Sequence, residues 1–285
     1  MAEEECTHEC GSCGVAGCGE RTEQGPTTLP TDAHSNIKHV IAVVSGKGGV
    51  GKSLVTSLLA SQMQKRGFKV GILDADVTGP SIPKTFGITG HVVADIDGIF
   101  PAQTESGIKV MSVNLLLPSE DAPVAWRGPV VSGIISQFWG ETHWGDIDYL
   151  FVDMPPGTSD VFLTVFQQLP VDGIVTVSAP QELVAMIVGK AVNLAHSLNV
   201  PVIGLVENMA YFKCDECGKK HFIFGDPQGE AVSKKYDIPA YATLPIDPSF
   251  ASLCDAGKVE DYDVEGALDT IVEQVEAAHH EEKAE

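Results

Sequence analysis

The chain has 285 residues, 44% of them hydrophobic, with 39 acidic against 18 basic side chains and a formal net charge of -21. That is enough for one large domain or two small ones with a full core, and the charge argues against nucleic acid or an anionic membrane as partner, because both attract clustered Lys and Arg. No apolar run is long enough to span a bilayer, and the acidic opening MAEEEC does not read as a leader peptide, so the expectation is a soluble, cytoplasmic protein.

Residues 1–36 carry no apolar periodicity; they hold Cys6, Cys10, Cys13 and Cys18 and the linker-like GPTTLPTD (25–32). They read as a cysteine-bearing arm that takes shape only when a metal ties it down. From Ile37 the pattern changes. HVIAVVS (39–45) reads as a buried strand, LVTSLLASQMQKRG (54–67) as a helix closed by Gly67, and FKVGILD (68–74) as the next strand. Further strands are expected at 108–113, 148–153, 173–178, 201–207 and 240–246, with helices at 129–139, 158–169 and 181–198. Continuous apolar strands alternating with helices predict an α/β fold, a doubly wound and mostly parallel sheet covered on both faces. The segment 37–265 is read as one domain, and 266–285 as an acidic surface helix and tail.

Between the first strand and helix lies Gly46-x-x-x-x-Gly51-Lys52-Ser53, a complete phosphate-binding loop in the strand-to-helix context it needs. Gly46, Gly48, Gly49, Val50 and Gly51 supply backbone N–H groups that wrap phosphate oxygens, and the helix N-terminus adds positive potential. Lys52 is the candidate to neutralise the β- and γ-phosphates, and Ser53 to ligate Mg²⁺. Asp153, at the end of the strand DYLFVD, is a carboxylate for the Mg²⁺ side, and Gly157 of the following MPPG turn a γ-phosphate sensor. Asp74 and Asp76 follow another strand: Asp76 is the candidate to orient the attacking water, Asp74 to support Mg²⁺ or Lys52. No N-K-x-D guanine reader occurs, which favours ATP. Lys47 lies within the same loop, where phosphate binding requires no lysine.

KGGVGKS (47–53), DADVTGPS (74–81), WRGP (126–129), DYLFVDMPPGTSD (148–160), APQE (179–182), ENMAYFKCDEC (207–217) and LPIDP (244–248) together resemble the Mrp/ApbC family, iron–sulfur cluster carrier ATPases of the MinD-like, deviant Walker A class. The resemblance covers about residues 37–265. It implies a homodimer with nucleotide at the interface, in which Lys47 reaches the phosphates of the facing chain; a cation supplied in trans stabilises transition-state charge only when two chains meet. It also implies that Asn208 contacts adenine, with backbone near Pro245 and Asp247 assisting.

Two cysteine groups remain. Cys214-Asp-Glu-Cys217 is half of a four-ligand site, and by spacing alone a zinc knuckle is favoured over an iron–sulfur cluster. The family resemblance reverses that preference: the pair matches the family's cluster-binding cysteines, two chains giving four thiolates for a 4Fe-4S cluster destined for apo iron–sulfur proteins. Cys6, Cys10, Cys13 and Cys18 can close round one centre, with His8 a candidate stand-in, but their spacing departs from the four-cysteine arm of the family's eukaryotic branch, so iron–sulfur and zinc both stay open. Cys254 reads as a half-buried small apolar residue. Rival readings are a MinD/ParA-like positioning ATPase, disfavoured by the acidic tail, and an electron donor like the nitrogenase iron protein, disfavoured because residues 19–213 contain no cysteine. A third rival is a zinc-stabilised P-loop ATPase without cluster transfer.

Overall fold

A computed structural model describes residues 28–278 apart from 78, 80, 97, 118–127, 158–159 and 181–183. The strands are β1 (Ser35–Val44), β2 (Val70–Asp74), β3 (Val93–Ala94), β4 (Ile99–Phe100), β5 (Ala102–Gln103), β6 (Lys109–Ser112), β7 (Gly145–Asp153), β8 (Gly173–Ser178), β9 (Val202–Lys213), β10 (Lys220–His221) and β11 (Ala240–Ile246). The helices are α1 (Lys52–Lys65), α2 (Ile82–Thr85), α3 (Gly128–Gly140), α4 (Asp160–Gln168), α5 (Val184–Ser197), α6 (Gly229–Lys235), α7 (Pro248–Asp255) and α8 (Asp269–Ala277).

The main sheet runs β10-β9-β8-β1-β7-β2-β6-β5, with β11 also paired to β9. Every ladder among β11, β9, β8, β1, β7, β2 and β6 is parallel, and β5 and β10 add antiparallel edges. The predicted doubly wound α/β sheet is present, with β1 between β7 and β8.

The unbroken apolar runs follow from this placement. Successive strand side chains point to opposite faces. Ile41 and Val43 of β1 therefore enter one core with Val55, Leu58 and Leu59 of α1, while Val40, Ala42 and Val44 enter another with Ile135, Phe138 and Val165 of α3 and α4. Tyr149 and Phe151 of β7 join the first core; Ile147, Leu150 and Val152 join the second. A strand with helices on both sides has no solvent face on which to place polar residues.

Two boundaries are corrected. Helix α8 buries Ile271, Val272 and Val275 fully in the α1 core, so the division after 265 marks a change of charge, not of packing. At the other end β1 already begins at Ser35, and the segment before it is docked. The Leu29 amide donates to the Gln168 carbonyl at 2.8 Å, its carbonyl accepts from Trp139 Nε1 at 2.8 Å, and Ser35 Oγ donates to the Thr142 carbonyl at 2.8 Å. Residues from 28 onward thus belong to the domain. Cys6, His8, Cys10, Cys13 and Cys18, and the last residues of the tail, lie outside the described residues.

Candidate functional site

The C-terminal ends of β1, β2 and β7 converge, because parallel strands finish on one side of a sheet and the ligand crevice forms there. Asp74 and Asp153 are register partners at the last positions of β2 and β7. The loop after β1 wraps the N-terminus of α1 with Gly49 at φ 80° and Gly51 at φ 83°, values that favour glycine. At Gly51 a Cβ would also stand 2.2 Å from Asn208 Nδ2.

Lys52 is buried, its ammonium 2.7 Å from Asp153 Oδ1 and 3.6 Å from Asp76 Oδ2. Asp153, fully buried, accepts from Ser53 Oγ at 2.6 Å and from Thr56 Oγ1 at 2.8 Å. Asp74, also buried, accepts from Ser112 Oγ at 3.0 Å and from the Asp76 amide at 3.2 Å. Two carboxylates thus pair with one lysine, and a third, Asp74, feels its charge. Burial, and next the charge of Asp153, hold the Asp74 carboxyl well above the usual carboxylate range. A hydroxyl beside carboxylates suits a hard, oxygen-ligated cation such as Mg²⁺, and the excess negative charge is what such a cation relieves. The adjoining cleft, about 330 Å³, is lined by Gly49, Gly51, Lys52, Ser53 and Asp76, together with Phe250 and Cys254 of α7.

Other predicted residues are placed differently. Lys47 is exposed and lines a neighbouring groove with Gly157, Phe162, Met186 and Lys190. The Gly157 N–H donates to the Ser45 carbonyl at 2.9 Å, so sensing a phosphate would require it to leave that partner. Asn208 is buried beneath the loop and its Nδ2 donates to the Val50 carbonyl at 2.9 Å; it braces the loop. The Asp247 carboxylate caps α7, accepting from the Ser249 amide at 2.8 Å, and accepts from Tyr262 Oη at 2.8 Å. Pro245 and Asp247 share a cleft of about 620 Å³ with Tyr211, Cys214 and Tyr262.

Cys214 and Cys217 follow β9 in a tight knuckle. The Cys214 amide donates to the Lys219 carbonyl at 3.0 Å, and the Gly218 amide returns to the Cys214 carbonyl at 2.8 Å, with Gly218 at φ 69°. The amide of Cys217, then that of Glu216, aims at the Cys214 sulfur and lowers its thiol pKa, favouring the thiolate that metals bind. Cys217 is exposed and Cys214 half-exposed. Beside them Phe222, Ile223 and Phe224 are exposed.

A family model described as the ParA-type NUBPL iron-transfer P-loop NTPase matches residues 36–277. The chain belongs to the iron-transfer P-loop NTPases. It is 46% identical over 278 residues, 92% of this chain and 97% of the other, to a Clostridium perfringens protein named iron-sulfur cluster carrier protein. A nucleotide-binding protein from Archaeoglobus fulgidus, solved in complex with ADP, superposes with TM-score 0.72 at 46% identity, covering 80% of this chain and 89% of that one. The cell division ATPase MinD of Pyrococcus furiosus superposes with TM-score 0.59 at 20% identity over 84% of this chain and 99% of its own, a likeness of fold alone.

In this iron-transfer NTPase three contributors to the nucleotide site escape the loop motif. Thr56 stands one helical turn after Lys52, a spacing that could have signalled a shared face. Ser112 reaches Asp74 only because β6 pairs with β2. Cys254 is half-buried, as expected of a small apolar residue, and burial pushes its thiol up to about 11, but its position on the nucleotide cleft had no local signal.

Proposed function

We propose that the protein binds ATP with Mg²⁺ in the loop cleft, hydrolyses it slowly, and carries an iron–sulfur cluster of the 4Fe-4S type to apo iron–sulfur proteins in the cytoplasm. The observation that carries the reading is the solvent-facing Cys214–Cys217 knuckle, which presents two thiolates where a cluster requires four, in a chain of an iron-transfer family. A second copy about a two-fold axis supplies the other two. The cluster is cargo, held between chains, and any change in how the chains meet exposes or strains it.

Lys52 exchanges its carboxylate partners for the β- and γ-phosphates. Ser53 and Asp153 are the residues that would hold Mg²⁺, which when bound would supply positive charge against the charge that develops on the phosphates. Asp76 orients the attacking water, with Asp74 behind it. Lys47, exposed in the loop, supplies the trans cation in the dimer. Asn208 sets the shape of the loop, and the backbone at Pro245 and Asp247 borders the adenine. Neither nucleic acid nor membrane is a partner in this reading; among the described residues no helix is long and apolar enough to cross a bilayer.

The test is anaerobic reconstitution with iron and sulfide, then transfer to an apo-enzyme with ATP present or absent. Recipient activity that appears with the loaded protein, at an ATP-dependent rate, is expected. A protein that keeps zinc and never activates the recipient would instead establish the zinc-stabilised reading, which the knuckle geometry also accommodates.

A further inference from the structure

At the opposite end of the sheet from the nucleotide, two chain segments bring three metal-binding side chains together. Asp32 and His34 precede β1, and His143 lies in the turn between α3 and β7. β1 spans ten residues, so at ~3.3 Å per residue this cluster is about 30 Å from the phosphate loop. One oxygen, Asp32 Oδ2, faces His143 Nδ1 at 3.1 Å and His34 Nδ1 at 3.3 Å, and the three donor atoms all lie within 4.8 Å of one another.

The surroundings orient each of the three. The Asp32 carboxylate accepts the His34 amide at 2.6 Å, and that backbone hydrogen bond, above the two imidazoles, keeps it ionised below the usual carboxylate range. The His143 ring is nearly buried, stacked on Phe100 with centroids 4.8 Å apart, and a Cβ on Gly98 would stand 2.5 Å from its Nε2. His34, 72% exposed, closes the open side. The segment holding Asp32 and His34 is pinned through Leu29 and Ser35, so its approach to His143 is set by the fold.

We propose that Asp32, His34 and His143 form a site for a divalent metal ion of the zinc type, with water as fourth ligand, that clamps the root of the cysteine-bearing arm to the base of the sheet. In a tetrahedral zinc site with bonds of about 2.0–2.1 Å, neighbouring donor atoms stand roughly 3.3 Å apart, and the two carboxylate–imidazole separations already match. Two neutral imidazoles and a carboxylate are a nitrogen–oxygen donor set without sulfur, so this site differs in chemistry from both cysteine groups and does not compete for an iron–sulfur cluster. The chain closed by the ion joins the arm to the turn after α3, so the metal acts on stability and on the arm's attachment, not on hydrolysis.

The test uses the full chain, stripped with chelator and with its thiols blocked by N-ethylmaleimide, so that no cysteine site takes metal; because Cys254 lines the nucleotide cleft, an unchanged circular dichroism spectrum and a cooperative melt show that it is folded. Calorimetric titration with zinc chloride is expected to give one ion per chain, and zinc is expected to raise the melting temperature. His34→Gln, an exposed change that leaves the core untouched, should weaken zinc binding by roughly tenfold or more and abolish the thermal shift, and Asp32→Asn should do the same. ATP affinity, measured with the thiols unblocked, should be unchanged in both. Absence of stoichiometric zinc binding in the blocked wild-type chain would overturn the proposal in favour of a plain Asp–His ion-pair cluster. So would zinc binding that His34→Gln leaves intact.

Discussion

Lys52 and Lys47 belong to one loop yet meet different surroundings. Lys52 is the cation paired with both Asp153 and Asp76, so removing it does more than weaken nucleotide binding. Lys52→Ala should cost about 1.5–3 kcal/mol of ATP affinity, the worth of a hydrogen bond to a charged group. It should also destabilise the nucleotide-free protein by about 3–5 kcal/mol, because a buried charge is left uncompensated. Calorimetry reads the first and denaturant melting the second, and Mg²⁺ should restore part of the lost stability. Tight ATP binding by this variant would refute the loop assignment. Lys47→Ala should spare binding and reduce hydrolysis. Mixing Lys47→Ala chains with Asp76→Asn chains should restore some activity, since one composite site keeps both groups; activity that does not respond to mixing would show that Lys47 acts within its own chain. Asn208→Ala leaves the Val50 carbonyl without its donor and should cost about 1–3 kcal/mol in stability, with a loosened loop and weaker nucleotide binding.

At the scale of elements, the two ends of the domain make opposite predictions. Truncation before α8 uncovers Ile271, Val272 and Val275, each worth about 1.5–3 kcal/mol of burial. The sum is comparable to the whole stability of a typical domain, about 5–15 kcal/mol, so soluble expression should fail. Removal of residues 1–27 should leave ATP binding intact. Removal of residues 1–36 should not be as mild, because it takes Leu29 from its partners on α3 and α4 and the first residues from β1. Equal solubility and melting temperature for the two deletions would contradict the docking of 28–36. The residues legible from sequence here were those with local signals, strand alternation and glycine punctuation above all; the docking of Leu29 had none, since its partners lie more than a hundred positions away in the chain.

At the scale of the molecule, two chains of net charge -21 must meet for the bridging cluster to form. Their mutual repulsion falls as salt screens it. Sedimentation of the cluster-free protein should therefore show self-association rising with ionic strength, the reverse of an assembly held by opposite charges. After removal of residues 1–27, the reconstituted protein should hold about one cluster per two chains by the four-ligand count. Cys217→Ala in that background should abolish the cluster's broad visible absorbance and weaken the dimer while each chain still binds ATP. A full cluster per monomer would defeat the bridging arrangement and leave the carrier role to the cysteines of the arm.

By itself, the sequence determined the sheet class and the phosphate loop and singled out Lys52, Ser53 and Asp153 as the candidates for its chemistry, because these depend on spacing within a strand, a turn and a helix start. It also carried the resemblance to iron–sulfur carriers, since motifs read in chain order need no coordinates. Only the tertiary structure decided that β2 lies between β7 and β6, and hence that Asp74 faces Asp153 and Ser112. Strand order is set by how helices cover the two faces, a property of the assembled layers that no window of residues contains. The same holds for Asn208 under the loop and for Asp32 beside His143: each is a contact between distant segments, made by packing and invisible to spacing.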